Sequence, residues 1–455
     1  MEETRVLATC SLGLGFSYRG FQAGLAMDPH LIAADAGSSD FGPYYLGAGA
    51  MQKGAMSLKR DLTVLIEGAL KLGVPFCTGS VGGPGAKVHL DVMVDLVTEI
   101  ARERGWHFKL AAIDSEVDKA LIKGRIREGR VRPLGGFPDL TEEGVDELVR
   151  CVGMIGAEPY IRALDEGAQV ILAGRTTDPS IFVAEALRRG AQPGAAWHAA
   201  KCIDKGYLAT TTPEDGSPVL ARINGDEFTL EPTKADSRCT VQSVAQITLH
   251  ENSDPFQIAQ PTGVIDTHQT RYEAIDERRV RVTGSRYLPA KQPTIKLEGA
   301  KLVGYRRILL AGLRDPRLIA RIDEYLDAYR EKIRLAARSM EISETDYTLQ
   351  FRVYGRDAVM GPTEPLRDKP GHELGLVVDV VGKTKEIAAA IATRLGPTGS
   401  RMQFLEGMGG GGNFAYPFSP SNIDVGAAYE WGAWHLMEVD WDELTDLFPI
   451  AYYDL

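Results

Sequence analysis

The sequence is short of cysteine, of long apolar runs and of positive charge, and each shortage removes a class of function. Five cysteines (Cys10, Cys77, Cys151, Cys202 and Cys239) are scattered through 455 residues with no CxxC pair. An odd, dispersed set makes neither a disulfide framework nor a zinc-ligand spacing, so reduced thiols in a cytosolic protein are expected. No apolar run approaches the roughly 20 residues that cross a bilayer. Met1-Glu2-Glu3 is acidic where a signal peptide is basic, so a cytoplasmic location with no membrane partner is the expectation. The formal net charge of −11 argues against a nucleic-acid partner. The doublets Arg278-Arg279 and Arg306-Arg307 are too short to form a basic stripe. Repeats, heptads and low-complexity linkers are absent as well.

What is there is an alternation of apolar runs and amphipathic stretches over the first 190 or so residues. Strands are expected at Arg5–Thr9, Leu31–Asp35, Val74–Cys77, Phe108–Ile113 and Gln169–Ala173. Helices are expected at Tyr18–Met27, Leu58–Leu72, His89–Arg104, Glu142–Asp165 (with Pro159 as a break) and Ser180–Arg189. This spacing predicts an α/β fold with a mostly parallel, doubly wound N-terminal sheet. From about Trp197 to Ala311 the texture becomes β-rich, with Val241–Leu249, Arg279–Thr283, Thr294–Leu297 and Val303–Ala311 as strand-like runs. Asp215-Gly216, Asn224-Gly225 and Thr283-Gly284 are its turns. A helix over Asp315–Ala337 follows, then an α+β C-terminal part: strands Tyr347–Tyr354 and Leu374–Val381, a helix Lys383–Arg394, a glycine run Gly407–Gly412 and an aromatic tail Tyr429–Val439. Three domains are expected, at 1–195, 196–345 and 346–455.

In open α/β sheets ligands bind beyond the carboxyl ends of the strands. Those ends carry Ser38, Ser39, Asp40 and Tyr44; Ser80, Gly82 and Gly83; Asp114 and Glu116; and Arg175, Thr176 and Asp178. The loop Thr78–Gly85 between strand and helix offers backbone N–H groups to an anion, although it fits neither the P-loop nor GxGxxG; a tight turn without a ligand is the alternative. Arg175 is suited to clamp a carboxylate or phosphate. Asp178-Pro179 reads either as a functional carboxylate or as a helix cap with proline behind it. His89 is a candidate general base or a hydrogen-bonded structural histidine. HELG at His372–Gly375 lacks the second histidine of a zincin, and its β-type continuation removes the helix that motif needs. As loop residues near Arg352, Tyr354 and Arg356, His372 and Glu364 belong either to the pocket or to the surface. Cys10 is the one cysteine at a strand end, with no partner base. No cofactor is predicted; a divalent cation held by Asp40, Asp114 and Glu116 is left open.

The segments DAGSSDFGPYYLGAG (Asp35–Gly49), FCTGSVGGPGAKVHLD (Phe76–Asp91), AGRTTDPSIF (Ala173–Phe182), RVRVTGSR (Arg279–Arg286), KLEGAKLVGYR (Lys296–Arg306), YGRDAVMG (Tyr354–Gly361), HELGLVVDVV (His372–Val381) and GGNFAYPFSPS (Gly411–Ser421) resemble the bacterial acyclic terpene utilisation (AtuA-type) family. The resemblance implies a role in the catabolism of branched acyclic terpenes, which proceeds through CoA thioesters of branched acids. It also implies a small partner subunit, since related proteins are encoded beside one or fused to it. Where an acidic-Cys-Gly segment is expected after Trp197-His198, this chain has Cys202-Ile203-Asp204-Lys205-Gly206, which leaves any role of that cysteine open.

The expected function is a catabolic enzyme acting on a branched or hydroxylated carboxylic acid or its CoA thioester, a lyase or hydro-lyase without a redox cofactor. The catalytic candidates are Asp40, His89, Arg175 and Asp178; the substrate-binding candidates are Ser38, Ser39, Tyr44, Ser80, Gly82, Gly83, Thr176 and Asn413. The alternative is a non-catalytic acyl-CoA or organic-acid binding subunit working with a small partner. A serine hydrolase built on Ser38, Ser39 or Ser80 lacks a nucleophile elbow. A homo-oligomer is expected.

Overall fold

The computed structural model describes residues 3–9, 11–213, 216–406 and 413–455. Cys10, Asp215 and the glycine run 407–412 lie outside the described residues. The chain forms two compact units, Met1–Lys301 with Trp431–Leu455, and Leu302–Glu430. The segments 1–195 and 196–301 therefore share one unit.

The first unit is built on a ten-stranded mixed sheet. Its centre is parallel, in the order Thr4–Ala8, Leu31–Asp35, Phe76–Gly79, Val170–Ala173 and Lys109–Ile113. Antiparallel strands extend both sides: Val219–Asn224 pairs with Thr4–Ala8, and Ile450–Asp454 pairs with Lys109–Ile113. The central strands are apolar at nearly every position because both faces are covered. Val6, Ala33, Cys77, Ala111 and Ile171 belong to one buried cluster, while Leu7, Ile32, Phe76, Leu110 and Leu172 belong to another. The period-2 alternation of side chains thus feeds two cores from the same strands. The helices Ala55–Leu72 and Lys87–Arg104 bury apolar stripes in the second of these clusters.

Three expectations of local structure are corrected. Glu142–Asp165 is not one helix: Glu142–Glu147 is helical, Leu148–Gly153 is a strand paired antiparallel with Leu297–Lys301, and Glu158–Asp165 is helical again. Val241–Thr248 is a helix, started by a reciprocal cap between Thr240 and Ser243, although its β-branched residues suggest a strand. Pro193–Ile203 is also helical, inside the stretch where β-type texture is expected to begin.

In the second unit, Tyr347–Tyr354 and Tyr305–Leu313 flank Leu374–Gly382 in antiparallel register. The helices Ile322–Ser339 and Lys385–Arg401 pack on this sheet through Tyr325, Tyr329, Ile391 and Leu395. The two buried phenols donate to main-chain carbonyls, Tyr325 to Gly399 and Tyr329 to Leu395, each at 2.7 Å.

Among the described residues no helix is long and apolar enough to cross a membrane. The four described cysteines are buried and free.

Candidate functional site

Two of the parallel strands end in loops that reach one cavity of about 590 Å³ in the first unit. Ser38 and Asp40 come from the loop after Leu31–Asp35; Arg175 and Thr177 come from the loop after Val170–Ala173, and Asp178 from the start of the helix that follows. Lys201 and Asp204 enter from the end of the helix Pro193–Ile203, and Lys296 from the strand that pairs with Leu148–Gly153. Leu134, Met154, Ile258 and Leu436 supply apolar wall. The cavity thus has charged groups set against an aliphatic surface, the usual make-up of a small-molecule site.

Arg175 lies in this cavity, but its fork is already engaged. It is 5% exposed; Nε and Nη2 donate to the carboxylate of Glu298 at 3.0 and 3.3 Å, and Nη1 donates to Ser80 Oγ at 3.2 Å. Glu298 is fully buried and accepts a second cation, Lys296 Nζ, at 2.7 Å. Burial alone would raise the Glu298 pKa; Arg175 and Lys296 overcome it and bring the value down to about 2. Burial also lowers the Lys296 pKa, against the pull of Glu298. The Lys296 ammonium sits 3.4 Å from the centroid of the Trp434 ring, whose face favours a cation. Two cations share this one carboxylate, and Asp40 lies within electrostatic reach of both.

A second set of ion pairs lies beside it. Lys205 Nζ is 3.3 Å from Asp35 Oδ2 and 3.2 Å from Asp178 Oδ2, and Lys201 Nζ is 3.2 Å from Asp204 Oδ2. Burial pushes the pKa of Asp35 up, against the attraction of Lys205. Asp178 occupies the first turn of its helix, after Thr177 in the cap position; its carboxylate is held by Lys205 and does not close the helix end. Asp40 is exposed, with Ser38 Oγ donating to its carboxylate at 2.7 Å.

The glycine loop does other work than expected. A Cβ at Gly83 would stand 2.1 Å from Gln52 Cδ, and one at Gly85 2.1 Å from the Arg175 backbone nitrogen. The absent side chains let the loop pack onto Gln52 and the Gly174–Arg175 backbone. Gln52 in turn donates to the Ser38 carbonyl at 2.6 Å. Ser80 is buried and receives Arg175 Nη1 and the Thr176 N–H on its hydroxyl. Ser80, Gly82 and Gly83 therefore stand behind the cavity and are not among its lining residues.

His89 is fully buried. Its Nδ1 accepts the Ala86 N–H at 3.1 Å, and Nε2 lies 3.2 and 3.1 Å from the carbonyls of Tyr45 and Ala50, which fixes the proton on Nε2. Burial lowers its pKa. It ties the segment 45–50 to the helix start. Thr176 is buried against Gly174 and Tyr160, Ser39 is buried, and Tyr44 is 42% exposed; none of the three lines the cavity. Asp114 and Glu116 do not line it either. Among the described residues no group of three or more His, Cys, Asp or Glu side chains is placed to hold a metal ion.

Asn413 belongs to the second unit, where its amide donates to the carbonyls of Gly399 and Met402. His372 and Arg356 line a separate cavity of about 580 Å³ within that unit, and Arg356 is paired there with Asp323 and Asp357.

Sequence reading passes over Lys201, Asp204, Lys205, Lys296 and Glu298. A signal exists for the first two: a lysine and an aspartate three residues apart in an otherwise apolar helical stretch, AAWHAAKCID, are charges that burial forces to pair.

No curated protein and no solved structure matches the chain. The family model for the acyclic terpene utilisation family protein AtuA matches residues 85–189 and 216–423. These segments include Arg175, Asp178, Lys296 and Glu298, while Ser38, Asp40, Lys201 and Asp204 lie outside them. With most of its length matched, the chain belongs to the acyclic terpene utilisation (AtuA) family.

Proposed function

We propose that the protein is a catabolic enzyme acting on a branched or hydroxylated carboxylic acid or its CoA thioester, through a lyase or hydro-lyase step in the strand-end cavity. The observation that carries this reading is the positive charge of Lys296, gathered with Arg175 on the single carboxylate of Glu298 at one wall. Low-dielectric surroundings magnify that charge. A substrate carboxylate or thioester carbonyl set against Lys296 is held and polarised there, and negative charge developing on its oxygen is stabilised. The aliphatic body of the substrate packs on Met154, Ile258 and Leu436. Asp40, at the rim, is the carboxylate available to take a proton from the carbon beside the carbonyl. The C–H pair then forms the new double bond as the leaving group departs with its own bonding pair.

The test is thermal melting of the purified chain with branched acids, their CoA thioesters and free CoA, with and without Mg²⁺, alongside product analysis. An acid or thioester should raise the melting temperature of the wild type, and Lys296→Met should lose that shift while remaining folded. Equal shifts in both proteins defeat the reading. Binding without turnover would favour the non-catalytic binding subunit instead.

A further inference from the structure

A buried oxygen on a residue that lines this cavity has no partner among the described residues. Asp204 is 1% exposed and lines the cavity at the end of the helix Pro193–Ile203. Its Oδ2 receives Lys201 Nζ at 3.2 Å, while its buried Oδ1 has no hydrogen-bond partner among the described residues. Buried polar atoms are paired in the great majority of cases, so an orphan on a residue that lines a cavity points to an occupant that completes it. We propose that Asp204 Oδ1 recognises a hydroxyl group of the ligand, which narrows the substrate class to branched hydroxy acids and their CoA thioesters. The inference rests on the reading of the cavity as an acid site.

A hydroxyl suits these surroundings. Lys201 is paired with Asp204, and Lys205 with Asp35 and Asp178, so the charges around the orphan oxygen are already engaged with one another. A neutral hydroxyl adds no charge to that set. It also serves both protonation states of Asp204, donating to the carboxylate and accepting from the acid. Burial, opposed by Lys201 and Lys205, raises the Asp204 pKa. Asp178 acts on Arg175 and on Asp204 alike, so both lie within electrostatic reach of one residue. A ligand carrying a carboxylate or thioester at one end and a hydroxyl a few bonds away meets both.

The test is calorimetric titration of the full chain with 3-hydroxy-3-methylbutanoate and 3-methylbutanoate, and with the CoA thioester of each. The hydroxylated member of each pair should bind about 10- to 100-fold more tightly, the usual worth of a hydrogen bond to a charged group. The double substitution Lys201→Met/Asp204→Leu removes the ion pair without stranding either charge, and in it the preference should vanish while the deoxy ligand still binds. Equal affinities in the wild type overturn the hydroxyl inference and leave the acid reading standing. Failure of all four ligands to bind overturns both. A preference that survives the double substitution places the hydroxyl elsewhere and overturns the assignment to Asp204. The wild-type comparison decides the hydroxyl inference by itself, and the double substitution decides its assignment to Asp204.

Discussion

Glu298 holds two cations in place with one carboxylate, and its position explains why Arg175 is not a free clamp. Arginine at a strand end reads from sequence as an anion receptor; Glu298, 123 residues later, is what occupies its fork. No spacing rule connects the two positions, so the pair is legible only once the strand Thr294–Leu313 is laid beside Leu148–Gly153. The pH consequence follows from the depressed pKa. In the unfolded chain Glu298 takes up its proton near 4.5, whereas in the fold it does so near 2. The ion pairs therefore contribute fully above pH 4.5, and their contribution drains away as the pH falls towards 2, a loss on the order of 3 kcal/mol. Urea titrations at intervals across this range should show that decline in the wild type and a shallower one in Glu298→Gln. At neutral pH the variant should be less stable by about 3–5 kcal/mol, the cost of leaving buried cations without their counter-charge. A flat wild-type profile between pH 4.5 and 2 would count against this assignment.

At the scale of elements, the parallel strands and their following helices are readable because apolar runs and 3.6-residue stripes are local signals. The misreadings are equally physical. Val244, Ile247 and Thr248 are buried at helical spacing, but their β-branched side chains favour a strand, and the Thr240–Ser243 cap decides the outcome. Leu148–Gly153 is a strand because a distant partner pairs with it, which overrides a pattern that continues the helix before it. The glycine loop was legible as a tight backbone feature and not as a support for Arg175. Gly85, at φ +72°, admits the Arg175 backbone where a side chain would collide with it. Gly85→Ala combines a left-handed conformation with that collision, so it should cost well over about 1 kcal/mol. It should also weaken ligand binding by shifting Arg175. A urea midpoint close to that of the wild type would show that the loop yields freely.

The whole molecule closes its first unit with residues from the far end of the chain, which is why domain limits drawn along the sequence at 195 and 345 differ from the compact units. Composition changes mark where texture changes, not which strands finally meet. Ile450–Asp454 covers the outer side of Lys109–Ile113 over five residue pairs. Reciprocal main-chain bonds between Phe108 and Leu455 continue the pairing, and the Asp114 N–H donates to the Pro449 carbonyl. Phe448, 1% exposed, packs into the cluster that contains Ile113 and Ile155. Deleting 448–455 removes a buried aromatic side chain, worth about 3–5 kcal/mol by the cost of Phe→Ala in cores, and moves the sheet's edge from Ile450–Asp454 to the more apolar strand Lys109–Ile113, which then lies open to pairing with other chains. The truncated chain should therefore melt earlier and aggregate on concentration, as read by calorimetry and light scattering. Phe448→Ala separates the two effects, since it makes the cavity but keeps the strand. It should lower the melting temperature while leaving the chain dispersed, so aggregation in the point variant would mean that core packing, and not the covered edge, keeps the protein in solution.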